Sequence, residues 1–160
     1  TGNSEATGDY TKALRIKESL NSFVSLRYNV KDYISSEEIG EALNSSTIII
    51  CRAGANTVTE LLAIGKLSII IPLPKSSYNE QVKNALLIES TGLGYYLPQK
   101  EEINAEKLYQ TVLMGLNQFK IGKGFNNKAL SECVETAKSM ISLDAPSAVV
   151  DEIEKLLNKI

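Results

Sequence analysis

The chain has 160 residues, of which 43% are hydrophobic and 22% charged, and its net charge is −2. This composition is typical of a globular protein with its own core, and it gives no electrostatic reason to expect a nucleic-acid partner. The chain contains no histidine, which excludes a Ser-His or Cys-His nucleophile pair, His-ligated zinc and an imidazole base. The apolar runs are too short to cross a bilayer, and the two cysteines lack metal-ligand spacing and are expected to be reduced thiols.

The first third of the chain predicts mainly helices. Ala13, Leu14, Ile16 and Leu20 recur among charges and predict an amphipathic helix from about Asp9 to Leu20. The apolar run 23–26 predicts a short strand, and 29–34 a loop or edge segment. A further helix is expected from 36 onward, with Ser36 as its N-cap.

The middle of the chain predicts strands that alternate with helices. Thr47 to Cys51 and Ser68 to Ile71 are continuous apolar runs, and Pro72 and Pro74 stop the second. A helix is expected between them, from about Thr57 to Ile64, and Gly65 ends it.

The last third continues this alternation. A helix is expected near 80–90 and a short strand at 93–97, followed by helices at about 104–117, 127–141 and 145–158. Gly122-Lys123-Gly124 separates the first two of these three helices, and Asp144 with Pro146 predicts the start of the third. Solid apolar strands between helices indicate an α/β fold, a Rossmann-like doubly wound parallel sheet.

The segment from Arg52 to Glu60 is the strongest candidate for chemistry. It joins a buried strand to a helix through a turn of small residues, and the backbone N–H groups of Ala55, Asn56 and Thr57 would face a ligand close to Gly54. A helix start of this kind suits a phosphate or diphosphate. The spacing Thr57-x-x-Glu60 is equally typical of a capping box, in which Glu60 only stabilises the helix.

A second polar group opens the next helix, at Glu80, Gln81 and Asn84. These side chains supply donors and acceptors that suit a polyhydroxylated ligand such as a sugar. The alternative is a solvated first helical turn with an acidic residue that complements the helix dipole. Both groups follow consecutive strands and therefore meet at one sheet edge, which favours the functional interpretation.

Three motifs in order carry a family resemblance: the run from Ile50 to Lys66, then Ile69-Ile-Ile-Pro-Leu73, then Asn79-Glu-Gln-Val-Lys-Asn-Ala85. Together they resemble the MurG-type UDP-N-acetylglucosamine transferases of glycosyltransferase family 28, specifically the C-terminal donor-binding domain. Thr1-Gly2 resembles the segment after the second strand of that domain. The resemblance implies one donor-binding domain over 1–160, the C-terminal half of a GT-B enzyme whose start and acceptor-binding domain are absent.

The resemblance also implies a role for each candidate residue. The loop at Tyr33 would lie against the uracil, with backbone atoms of Ile34 reading the base edge. Glu60 would hold the ribose hydroxyls. The turn would face the diphosphate and the sugar, and the next helix would reach the sugar hydroxyls. The substrate-binding set expected in this chain is Ile34, Arg52, Gly54, Ala55, Asn56, Thr57, Val58, Thr59, Glu60, Glu80, Gln81 and Asn84, with no catalytic residue and no metal ligand.

The function implied is transfer of N-acetylglucosamine from a UDP-sugar donor to a lipid-linked muramoyl-pentapeptide in peptidoglycan synthesis. No cofactor is implied beyond that donor substrate. The full enzyme would be cytoplasmic and peripheral on the inner face of the cell membrane, and this chain alone would be inactive. One alternative is a non-catalytic donor-binding subunit of the eukaryotic two-chain type, which needs a separate membrane partner. Another is an unrelated nucleotide-binding α/β domain.

Overall fold

The computed structural model describes residues 8–99, 103–118, 120–121, 124–125, 127–142 and 144–158. The described residues form two compact units, one up to Leu43 and one from Asn44 onward. The segment Thr1-Gly2, which carries part of the family resemblance, lies outside the described residues. The expectation of a single domain stays a prediction.

The first unit is helical. It contains α1 (Asp9–Ser19), α2 (Ser22–Ser25) and most of α3 (Ser36–Ser45). The strand predicted at 23–26 is wrong, because this apolar run forms the single-turn helix α2. Asn21 caps that turn: its side-chain oxygen accepts a hydrogen bond from the Val24 N–H at 3.0 Å, which offers the backbone a helical alternative to a strand.

The cap of α3 lies one residue earlier than predicted. Ser35, not Ser36, is the capping residue, and its hydroxyl accepts a hydrogen bond from the Glu38 N–H at 3.2 Å. The Glu38 carboxylate accepts from the Ser35 N–H at 3.3 Å, which completes a capping box. The same carboxylate pairs with Lys31 at 2.9 Å. The hydrogen bond from Lys31, followed by the one from the Ser35 backbone, lowers the pKa of Glu38.

The second unit is built on a parallel sheet of three strands, β1 (Ile49–Cys51), β2 (Ser68–Ile70) and β3 (Gly94–Tyr96), in the order β1-β2-β3. All three residues of β2 are buried, as expected of a central strand covered on both faces. The three predicted strands of this sheet are therefore confirmed, each a little shorter than its apolar run. The predicted burial of β1 is wrong, because β1 lies at the end of the strand order β1-β2-β3 and its Ile50 is 46% exposed.

Helices cover both faces of this sheet. Helices α4 (Ala55–Ile64), α5 (Glu80–Ser90) and α7 (Asn127–Ser139) share one core with Ile70, whereas α6 (Ala105–Gln118) packs on the other face against Ile69. Neighbouring residues of a strand point to opposite faces, so this alternation places the two cores on either side of the sheet. The predicted doubly wound α/β class is confirmed.

Gly65 ends α4 in the left-handed conformation, with φ of 63°. A Cβ atom at this position would lie 2.7 Å from a methyl group of Val134 on α7. The predicted stop is confirmed, and only glycine permits both this backbone conformation and this close helix packing.

The end of the chain contains a short hairpin and a last helix. Strands β4 (Lys120–Ile121) and β5 (Gly124–Phe125) pair in antiparallel fashion where the sequence predicted only a break between helices. Helix α8 (Ala145–Leu157) begins after Asp144 with Pro146 in its first turn, as predicted. None of the helices in the described ranges has the length and apolar character needed to cross a membrane.

Candidate functional site

The loops that follow β1 and β2 lie side by side at the carboxyl edge of the sheet. The Ile71 N–H donates to the carbonyl of Cys51 at 2.9 Å, and the Leu97 N–H donates to the carbonyl of Ile70 at 3.0 Å. These bonds continue the parallel pairing to the ends of the strands. The loops after all three strands therefore emerge at the edge where open α/β sheets bind ligands.

Helix α4 begins at Ala55, two residues earlier than predicted. Gly54 occupies the N-cap position, and its carbonyl accepts the first helical bond from the Val58 N–H at 3.0 Å. Thr57 is thus inside the helix, and the alternative of a Thr57–Glu60 capping box is wrong. No side chain within the described ranges caps this helix. Its first-turn N–H groups remain available to an anion.

Gly54 leaves space above the helix start. Its φ of −65° is open to any residue, and a Cβ atom built there would approach only the Thr57 hydroxyl, at 4.0 Å. Neither backbone conformation nor protein packing therefore requires glycine here. The space that its missing side chain leaves faces solvent or a ligand.

The other side chains of this turn divide between the core and the surface. Val58 is buried in the core shared by α4, α5 and α7, so only its backbone faces the loop. The Thr59 hydroxyl donates back to the carbonyl of Ala55 at 3.0 Å. Asn56 and Glu60 are exposed. Glu60 is therefore an exposed carboxylate in the second turn of the helix.

Arg52 connects the ends of the three strands. Its Nη1 donates to the carbonyls of Ile71 at 3.0 Å and Pro72 at 3.3 Å, and to Oε1 of Gln99 at 2.6 Å. One guanidinium at the end of β1 thus joins the loop after β2 to the segment after β3. Gln99 carried no local sequence signal for this contact, since it lies 47 residues away from its partner.

Two of the three polar residues of α5 also support the loops. Oε1 of Gln81 accepts from the Leu73 N–H at 3.0 Å, and Nδ2 of Asn84 donates to the carbonyl of Ala53 at 3.0 Å. The second bond ties α5 directly to the turn that begins α4. Glu80, at the first position of α5, is exposed. The structure therefore brings both predicted polar groups together at one sheet edge.

Ile34 lies in the first unit, in the loop before α3, and is half-buried. Its neighbour Tyr33 is exposed. Both belong to the loop that the sequence predicted between the first helices.

Cys51, the cysteine of this site, is not activated as a nucleophile. Burial raises the pKa of the Cys51 thiol, at the end of β1, to about 11, so this cysteine is a neutral thiol near pH 7 and a poor nucleophile. Within the described ranges, no group of three or more acidic or cysteine side chains is arranged to hold a metal ion. The site therefore consists of the start of α4, whose first backbone N–H groups have no side-chain cap, and of the exposed carboxylates of Glu60 and Glu80. These features define a parallel α/β domain of the kind that binds nucleotides.

Comparison with known proteins identifies the family. Residues 5–142 match the family model described as the glycosyltransferase family 28 C-terminal domain. This match covers most of the chain, and the chain belongs to that family. The resemblance noted from the three motifs is confirmed.

Relatives agree with this assignment. The UDP-N-acetylglucosamine--N-acetylmuramyl-(pentapeptide) pyrophosphoryl-undecaprenol N-acetylglucosamine transferase of Prochlorococcus marinus is 32% identical over 142 residues, which cover 86% of this chain and 37% of the relative. The protein of the same name from Lawsonia intracellularis is 28% identical over 145 residues, 90% of this chain and 37% of the relative. The crystal structure of Acinetobacter baumannii MurG matches with a TM-score of 0.61 and 28% identity, covering 79% of this chain and 35% of that one. The chain thus spans little more than a third of the length of these relatives.

Proposed function

We propose that this chain is the donor-binding part of an inverting glycosyltransferase that uses UDP-N-acetylglucosamine. The observation that carries the proposal is the start of α4, where amides without a side-chain cap follow a glycine whose missing side chain leaves open space. The named function of the family relatives supplies the identity of the donor. The acceptor in the full enzyme would be a lipid-linked muramoyl-pentapeptide, as the relatives' name indicates.

In this proposal the chain acts on the leaving group. An acceptor hydroxyl attacks the anomeric carbon, the bond to the diphosphate breaks, and negative charge builds on the departing UDP. The N–H groups of Ala55, Asn56 and Thr57, together with the helix dipole, would stabilise that charge because they are already oriented before it develops. The proton of the acceptor hydroxyl would pass to a base outside this chain.

The remaining candidate residues would position the donor. We propose that Ile34 reads the uracil edge through its backbone, that Glu60 accepts hydrogen bonds from the ribose hydroxyls, and that Glu80, Gln81 and Asn84 face the sugar. Arg52 and the segment 54–59 would shape the diphosphate site. The chain would act as one domain, and the full enzyme would lie on the inner face of the cell membrane.

Backbone amide NMR of the 160-residue chain tests this proposal, since it detects binding at millimolar affinity. Titration with UDP and UDP-N-acetylglucosamine is expected to shift the amide signals of Ala55, Asn56 and Thr57 more than those of the hairpin β4–β5. ADP, added at the same concentrations as a control, is expected to produce clearly smaller shifts. Equal responses to UDP and ADP, or no shift at the start of α4, would show that the proposal is wrong.

A further inference from the structure

Tyr78 has an unusual backbone and an unusual exposure. Its φ is 52° and its ψ 25°, and Asn79 follows with φ of 55°. These are the two residues other than glycine with positive φ in the described part of the chain. Asparagine adopts this conformation readily, but a bulky side chain such as tyrosine is strained in it. The tyrosine side chain is nevertheless 94% exposed, so no burial of the ring offsets the strain.

Hydrogen bonds to Ser76 and Gln81 connect the two ends of the turn around Tyr78. The Asn79 N–H donates to the carbonyl of Ser76 at 3.2 Å, and the Gln81 N–H donates to the Ser76 hydroxyl at 3.3 Å. The side chain of Gln81 in turn accepts from the Leu73 N–H. These bonds connect the start and end of the loop around its left-handed tip. Strain maintained in this way, without gain for the core, is typical of functional sites.

The position of the ring relative to the candidate site suggests its role. Tyr78 lies between β2 and the first residue of α5, at the sheet edge described above. Gln81 and Asn84 each use a side-chain atom on the backbone, whereas Glu80 is exposed beside the turn. An exposed aromatic ring two residues before an exposed carboxylate offers groups for the two surfaces of a hexose, whose C–H bonds lie on one face and whose hydroxyls lie at the edge.

We propose that the Tyr78 ring is a platform for the sugar of the donor, with the neighbouring Glu80 carboxylate accepting from a sugar hydroxyl. The ring makes the site selective for a hexose-bearing nucleotide over the nucleotide alone. This inference rests on the proposed function and extends it, because it adds to the residues proposed to face the sugar one that lies outside the three sequence motifs.

Measuring the binding of both UDP and UDP-N-acetylglucosamine to the 160-residue chain tests the role of Tyr78 separately from the proposed function. Replacing Tyr78 by alanine is expected to weaken UDP-N-acetylglucosamine about three- to tenfold, the loss typical of one aromatic contact, and to affect UDP much less. Tyr78→Phe keeps the ring and is expected to bind like the wild type. Tyr109→Ala, which removes another exposed ring, is the matched control. In saturation-transfer NMR, Tyr78→Ala should reduce the sugar signals relative to those of the uracil.

The strain provides a second, independent measurement. Glycine adopts a positive φ without penalty, so Tyr78→Gly is expected to raise the unfolding midpoint by about 2–4 °C while it weakens binding of the UDP-sugar. A midpoint of Tyr78→Gly that is no higher than that of Tyr78→Ala would show that the backbone at this position is not strained, and the inference would be wrong. If UDP binds at the start of α4 but Tyr78→Ala weakens both ligands equally or neither, this inference fails while the proposed function stands. If the wild-type chain binds neither ligand, the proposed function fails and the inference fails with it.

Discussion

Removal of the Arg52 guanidinium is the most direct test of how the candidate site is held together. In Arg52→Ala the carbonyls of Ile71 and Pro72 lose a charged donor, and both bonds are partly buried. A hydrogen bond to a charged group contributes about 1.5–3 kcal/mol, but Arg52 itself is exposed, so water replaces part of the loss. The exposed bond to Gln99 adds little. The free energy of unfolding is therefore expected to fall by about 2 kcal/mol, which lowers the midpoint by about 4–8 °C.

Urea denaturation, followed by circular dichroism, measures this loss. Lys138→Ala removes an exposed cation from the same unit and is expected to change the free energy of unfolding by less than about 0.5 kcal/mol. Gln99→Ala is expected to cost less than Arg52→Ala, since it leaves both backbone bonds in place. If Arg52→Ala and the Lys138 control prove equally stable, the three contacts do not hold the strand ends together and the reasoning is refuted.

Three further predictions concern the end of β1 and the start of α4. Gly54→Ala is expected to change the free energy of unfolding by less than about 0.5 kcal/mol, because the new methyl meets only the Thr57 hydroxyl. It is expected to weaken UDP binding about tenfold by crowding the diphosphate, and a large loss of stability would contradict the space seen there. Glu60→Gln is expected to cost about 1.5–3 kcal/mol of UDP-N-acetylglucosamine affinity in calorimetry. Glu135→Gln, another exposed helical carboxylate, is the control. Equal affinities of the two variants would show that Glu60 does not bind the ribose. Burial raises the pKa of Cys51 from 9.0 to about 11, so its alkylation by iodoacetamide at pH 8 is expected to be about tenfold slower in the folded than in the denatured chain, since the smaller thiolate fraction outweighs the higher nucleophilicity of that thiolate. Similar rates would show that the thiol is accessible and ionised.

The sheet and its helices could be predicted because their signals are local. The apolar run at 68–71 is too continuous for a half-exposed strand, and Gly65 stops α4 by its own backbone freedom. The equally apolar run at 47–51 forms an edge strand in which Ile50 is 46% exposed. The strand predicted at 23–26 was wrong because an apolar segment of four residues fits a strand and a single helical turn equally well. Asn21 was the signal that decides between them, since its side chain caps the turn.

The candidate site was predictable in position but not in its internal bonds. A strand followed by small residues and a helix is a local pattern, so the turn at 52–60 could be located from sequence. That Arg52 reaches Gln99 depends on how three loops approach one another in the folded unit. The positive φ of Tyr78 likewise occurs in a loop whose two ends are joined by hydrogen bonds of the folded unit. Neither the bond between Arg52 and Gln99 nor the backbone conformation of Tyr78 follows from the spacing of residues along the chain.

The hydrogen bond from Asn84 to the carbonyl of Ala53 connects two parts of the candidate site. It links α5, which begins at Glu80, to the turn that begins α4, so the two helix starts are already joined before any molecule binds. In the proposed function, this link would help to match the spacing between the amides of α4 and the start of α5 to the spacing between the diphosphate and the sugar of the donor. Shortening or lengthening the Asn84 side chain would therefore alter the size of molecule accepted, even though the chemical groups around it stay the same.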